Sequence, residues 1–185
     1  MSAAYPIRLA REQDEPELEV LIPASVRGLQ SAFYTPAQIE AALGTAFAVD
    51  RQLIRDGTYF VVEHAGRIIA SGGWSRRRAL CGGDHGRSGE DPALDPATEP
   101  ARIRAFFVHP DWARRGIGRA ILHACEGAIL QAGFQQAVLV ATLAGEPLYS
   151  ACGYVAVERY ELPLPSGVPL PVVRMTKNWA GPRGG

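Results

Sequence analysis

The sequence predicts an α/β domain built on a mixed β-sheet, and three observations carry that prediction. Residues 102–141 read as a buried strand, an amphipathic helix and a second buried strand. A unit of that length places its two strands parallel, with a right-handed crossover. Residues 58–74 read as two strands joined by a turn at Gly66, and residues 154–176 as two more around a proline-rich turn. With 185 residues, 47% hydrophobic and 21% charged, the chain can fill the core of one domain, expected over residues 1–179 with a loose tail at 180–185.

Ile7-Arg-Leu9 is a short first strand. Asp14 to Leu29 carries an apolar stripe at Leu18, Leu21, Ile22, Val26 and Leu29. It reads as a helix capped by Asp14 and kinked or interrupted at Pro23. Thr35-Pro36-Ala-Gln38 starts a second helix, with Thr35 as cap and proline in the first turn. Asp50 to Arg55 suits a third, short one. In the strand that follows, Gly72-Gly73 suggests a bulge or a close backbone approach. Trp74 beside it either walls a substrate pocket or packs in the core. Arg76-Arg77-Arg78 is a charge run, read as a solvated strand end more readily than as a nucleic-acid surface.

Residues 79–100 form a long turn-rich insertion, and loops of this length tend to carry function or be disordered. Asp84, His85, Glu90, Asp95 and Glu99 are its proton acceptors, and the remaining ligand pattern of a metal loop is missing. Beyond the central unit, Gly145 to Cys152 is a short helix ended by Gly153. Tyr154–Tyr160 and Leu170–Thr176 are strands, the second marked by Pro169 and Pro171 as an edge or irregular strand.

The loop at Arg114-Arg115-Gly116-Ile117-Gly118-Arg119 carries the chemistry. A helix N-terminus leaves backbone N–H groups unpaired and partly positive. Glycines there let a phosphate oxygen approach the main chain. Three arginines add charge, and no acid lies between Asp111 and Glu126. A bare turn with a solvated face is the competing reading, but the upstream buried strand favours diphosphate binding. Two other phosphate motifs fail on residues. The chain's single lysine, Lys177, is far from any Gly-rich loop, and Ile121 stands where a dinucleotide fingerprint needs its third glycine.

These residues resemble the GNAT superfamily of acetyl-CoA-dependent N-acetyltransferases. Val108-His-Pro110, Gly116-Ile-Gly118 and Tyr149-Ser-Ala-Cys-Gly153-Tyr154 occur in the family's order. The motif region spans about residues 102–160. The resemblance implies a twisted mixed sheet of about seven strands flanked by helices, with the strands at 102–108 and 137–141 splayed apart. It also implies acetyl-CoA as cofactor, with the pantetheine arm on the main chain of Phe106, Phe107 and Val108. The diphosphate would lie on Arg114, Arg115, Gly116, Ile117, Gly118 and Arg119, with Thr142 nearby. Tyr149 takes the place of the general acid, and the linker with Phe33 and Tyr34 helps line the acceptor pocket. Two departures stand out: Ala113 fills a usual Arg/Gln position, and Thr142 replaces a frequent Asn.

An alkyl amine has a pKa of about 10 and must lose a proton before it attacks, so a base or a water chain is needed. Glu63, Asp84, His85 and Glu99 are unranked candidates, while His109 reads as structural. A phenol can protonate the leaving thiolate at little cost, since a thiol titrates near 8.5. The expected function is acetyl transfer to a primary amine of a small molecule or peptide. The alternative is a non-catalytic acyl-CoA-binding sensor. Formal net charge is zero, which gives no bulk attraction to nucleic acid or membrane. Three cysteines without paired metal spacing, and no stretch able to span a bilayer, suit a cytoplasmic protein with free thiols. Family members often dimerise, so a homodimer stands open beside a monomer.

Overall fold

The computed structural model describes residues 5–80 and 91–179. Seven strands form one sheet: β1 (Ile7–Leu9), β2 (Tyr59–His64), β3 (Arg67–Ser75), β4 (Ala101–Val108), β5 (Gln136–Thr142), β6 (Val155–Pro163) and β7 (Pro169–Asn178). Their order is β1-β2-β3-β4-β5-β7-β6. Only β4 and β5 run parallel; every other pair is antiparallel. One face of the sheet is covered by α1 (Glu15–Leu29), α2 (Pro36–Ala42) and α3 (Arg51–Arg55), through Leu18, Ile22, Leu53 and Tyr59. The crossover between β4 and β5 is α4 (Ile117–Gln131), on the other face. Its buried stripe Ile117, Ile121, Leu122, Cys125 and Ile129 packs there with Trp74, Ile103 and Leu139. A short helix, α5 (Glu146–Ala151), lies between β5 and β6 in the chain.

The mixed sheet with flanking helices is as expected, and three local expectations need correction. Asp14 does not cap α1 with its side chain. Its carboxylate instead accepts from the Arg11 amide at 2.7 Å and from Arg8 at 2.7 Å, tying down a 3-10 turn before the helix. Of the kink or interruption expected at Pro23, the interruption does not occur: α1 runs through it, with buried Leu21, Ile22, Ser25 and Val26 holding the helix on both sides. Finally, β7 is an interior strand and β6 is the edge. Pro169 and Pro171 are tolerated because they pair only with β6, before β7 reaches β5 at Val172. Thr35 behaves as its sequence suggests: its hydroxyl accepts from Gln38 N–H, and the Gln38 side chain accepts from Thr35 N–H.

The glycine pair in β3 is needed for both reasons considered. Pairing with β4 slips between Ser71 and Gly73, and a Cβ on Gly72 would lie 2.8 Å from the Phe106 ring and from Ile121. Gly72→Ala is therefore expected to cost about 1–3 kcal/mol, the range for overpacking a core. Gly127 sits on the exposed face of α4, with open space where an added methyl would stand and an ordinary φ. Gly127→Ala should stabilise by roughly 0.5–1 kcal/mol. Urea midpoints for the two variants should move in opposite directions; equal shifts would show that the β3–β4 contact is slack.

Burial pushes the phenols of Tyr34, Tyr59, Tyr149 and Tyr154 above their ordinary range. The folded protein then keeps protons that an unfolded tyrosine releases near pH 10. This contribution is complete below about pH 10 and is lost as pH rises further. Asp14 beside Arg8 and Asp56 beside Arg77 are held below the usual carboxylate range. Their contribution is present above about pH 4 and is lost on acidification. Urea midpoints measured from about pH 3 to 11 should give a plateau that falls at both ends.

Candidate active site

Sheet pairing stops where the site begins. β4 and β5 are joined only over Ala101–Ile103, whereas β4 stays on β3 to Val108 and β5 stays on β7 to Thr142. From Arg104 onward the parallel strands diverge, and a cleft of about 700 Å³ lies between them. Ala105 supplies the bend. Its φ is 63°, and it lies where two steps along β3 match three along β4. A non-glycine residue in that region costs of order 1 kcal/mol, and a bulge re-aims its neighbours. Both flanking residues, Arg104 and Phe106, line the cleft.

The N-terminus of α4 closes one end. Gly116 is the residue before the helix, with φ 80°, and the space where its side chain would stand is open. Gly118 is confined for a different reason: a Cβ would meet Leu148 of α5 at 3.2 Å. Arg114, itself at φ 64°, and Arg119 are exposed and line the cleft. Among the described residues neither has an acidic partner. Ile117 also lines the cleft from its buried position in the first turn. Arg115 does not belong to this group. Its guanidinium lies 4.7 Å from the centre of the Trp112 ring and donates to the Asp111 carbonyl at 3.0 Å.

Tyr149 of α5 lines the cleft beside β4, its ring edge-on to Phe106 at 6.0 Å and to Tyr154 at 6.0 Å. Among the described residues its hydroxyl has no hydrogen-bond partner, so its position is set by ring packing. Burial raises its pKa, so the phenol stays protonated through the physiological range. Thr142 ends β5 and accepts from Gly145 N–H with its hydroxyl at 3.1 Å, which fixes the start of α5. Its first role is thus to place Tyr149. On β4, Phe106, Phe107 and Val108 all line the cleft. The Val108 amide, however, donates to the Ser25 hydroxyl of α1 at 3.1 Å.

Of the aromatic candidates at the acceptor end, only Phe33 lines the cleft, half exposed at 51%. Tyr34 is buried; its hydroxyl donates to the Pro171 carbonyl at 2.6 Å and accepts from the Leu143 amide at 3.1 Å. Trp74 is buried on the α4 face against Phe134. The proposed bases fare no better. Glu63 pairs with Arg8 at 2.9 Å, and Glu99 accepts from the Asp95 amide at 2.8 Å; neither lines the cleft. Asp84, His85 and Glu90 lie outside the described residues. His109 is structural as expected, accepting from the Asp111 amide with Nδ1. Two charges of the Arg76–Arg78 run are paired, Arg77 with Asp56 at 2.7 Å and Arg78 with Glu99 at 3.4 Å, and Arg76 lies over the Trp74 ring.

Two functional candidates were missed from sequence. Asp50 and Arg104 both line the cleft and form an ion pair of 2.8 Å with side chains 2% and 4% exposed. Arg104 also donates to the Ala79 carbonyl at 2.6 Å, and Asp50 accepts from the Leu53 amide at 3.2 Å. The available signal was a pair of arginines, Arg102 and Arg104, in an otherwise apolar strand, a placement that needs partners where the side chain is buried.

Solved structures share this fold. A GCN5-related N-acetyltransferase from Rhodopseudomonas palustris superposes with a TM-score of 0.69 at 19% identity, over 96% of this chain and 98% of that one. The paiA N-acetyltransferase of Thermoplasma acidophilum, solved with coenzyme A, gives 0.63 at 12% identity, over 95% and 99%. A GNAT family acetyltransferase from Brucella melitensis, solved with acetyl-CoA, gives 0.58 at 17%, over 98% and 92%. No curated protein matches the sequence. The family model for the acetyltransferase (GNAT) domain matches residues 55–156, more than half the chain and all of the splayed-strand unit. This protein therefore belongs to the GNAT acetyltransferase family.

Proposed function

We propose that this protein transfers the acetyl group of acetyl-CoA to a primary amine of a small molecule or peptide by direct attack, with Tyr149 as general acid. The observation that carries the reading is the order of groups along one cleft. Gly116, Arg114 and Arg119 stand at the Val108 end, and Tyr149 packs beside Phe106 further in. Open space at Gly116 and two cations without acidic partners among the described residues suit a diphosphate at a helix N-terminus. Bound there, acetyl-CoA supplies an acetyl group already activated as a thioester.

The chain's own residues then have three tasks. Arg114, Arg119 and the α4 amides hold the diphosphate, the exposed edge of β4 guides the pantetheine arm, and Tyr149 delivers a proton to the departing sulfur. Ser25 shares the Val108 amide, so that amide is available to the arm only if the hydroxyl turns aside. Thr142 and Gly145 hold α5 so that Tyr149 faces the gap. The test is thiol release from acetyl-CoA with a panel of amines, alongside a coenzyme A thermal shift. Turnover on at least one amine is expected. Tight binding with no turnover and no acetylated product would favour the sensor reading instead.

A further inference from the structure

Resting on that reading, we infer that the Gln30 side-chain amide binds the acceptor: its Oε1 takes a hydrogen bond from the attacking amino group. The first support is an unmade bond. Gln30 is 7% exposed and lines the cleft, and its Oε1 is buried without a hydrogen-bond partner among the described residues. An oxygen left so is costly, and native proteins keep few of them. Its polar neighbours in the cleft wall are committed. Ser25 takes the Val108 amide, and Asp50 and Arg104 pair with one another.

The second support is position. Val26 and Tyr34, on either side of Gln30 in the chain, belong to the core on the α1 face of the sheet, and Tyr149 to the core on the α4 face. Gln30 and Tyr149 both line the cleft between the splayed strands, so the amide and the phenol reach it from opposite faces. An amine that attacks while Tyr149 protonates the departing sulfur comes from a side the phenol does not fill, and Gln30 stands there. The main chain at Gln30 is held firmly. Its N–H donates to the Val26 carbonyl, and its carbonyl accepts from the Phe33 and Tyr34 amides, each at 3.0 Å. A binding group on so fixed a backbone is placed with precision.

The third support is the kind of group. A carboxylate here would favour the ammonium form, which has no lone pair to attack with. A carboxamide oxygen is uncharged. It accepts an N–H from the neutral amine and leaves the lone pair free for the thioester carbon. In the free protein the oxygen is closed to water. The last torsion of a glutamine side chain is broad and roughly two-fold, so a turn about it exchanges two ends of similar shape and brings the oxygen round to the amine. Gln30 takes no proton in this role; the one the amine sheds leaves by water or a separate base.

The experiment uses the full chain and the amine that the wild-type protein acetylates fastest. Gln30→Leu should lower kcat/KM for that amine by about 3- to 10-fold, mainly through KM, the scale of one neutral hydrogen bond. Its coenzyme A affinity by calorimetry should stay within about twofold. Because the variant removes an orphaned oxygen, its urea midpoint should hold or rise, whereas loss of a structural hydrogen bond would lower it. The pH profile of kcat/KM should fall in height and keep its shape, since an amide does not titrate. Gln30→Met, which keeps the length of the side chain, should behave alike. Unchanged kinetics on the amine in both variants, or weaker coenzyme A binding with the amine KM intact, overturns the inference and leaves acetyl transfer standing. A urea midpoint lowered in both variants marks Gln30 as structural and overturns it too. A wild-type protein that acetylates no amine removes the proposed function and this inference together.

Discussion

Tyr149→Phe should lower kcat on the best amine acceptor by about 100- to 10,000-fold, the usual contribution of a positioned acid, with little change in KM for acetyl-CoA. The substitution removes one oxygen and keeps the ring that packs on Phe106 and Tyr154. Because the hydroxyl has no protein partner among the described residues, the variant leaves no buried group newly orphaned. Stability should therefore stay within about 1 kcal/mol of wild type, which separates a chemical defect from a folding one. The phenol's pKa is raised by burial, so the acid stays protonated up to about pH 10. The wild-type rate should accordingly show no loss of the acid up to about that pH, and any lower alkaline limb belongs to another group. A Phe variant as fast as wild type would assign sulfur protonation to solvent and leave Tyr149 a packing residue.

Much of this frame was legible because it rests on local signals. The helix of residues 117–131 follows from its apolar spacing, and Gly133 ends it at φ 90°. The Gly72-Gly73 pair announced a bulge because only a missing side chain lets Phe106 pass. What could not be read was set by contacts distant in sequence. Tyr34 and Phe33 are adjacent, yet one bonds to Pro171 and Leu143 while the other faces the cleft. Nothing in a dipeptide says which aromatic a strand 137 residues away will take. From sequence Asp50 marks only the start of a short helix, and its side chain caps that helix. Its ion pair exists only because β4 brings Arg104 to it from far along the chain. Arg114 and Arg115 differ in the same way: both are exposed arginines, and the left-handed turn at Arg114 sends one to the cleft and the other onto Trp112.

That split among the arginines makes the cofactor end of the cleft separately testable. Replacing Arg114 and Arg119 together by Ala should weaken coenzyme A binding by about 100-fold at low salt, roughly tenfold for each charge-assisted contact. Both side chains are exposed, so the loss should shrink as ionic strength rises and screening deepens. Pantetheine, which lacks the diphosphate, should bind both proteins equally. Arg115→Ala should leave coenzyme A affinity within about twofold, because its guanidinium is committed to Trp112 and the Asp111 carbonyl. Calorimetry at two salt concentrations reads all of these. If Arg115→Ala weakened binding as much as the double variant, the anion would be held by the turn's summed charge. A diphosphate seated on the Gly116 amides with two chosen arginines instead predicts the unequal result, since a seated anion samples only the guanidinium groups directed at it.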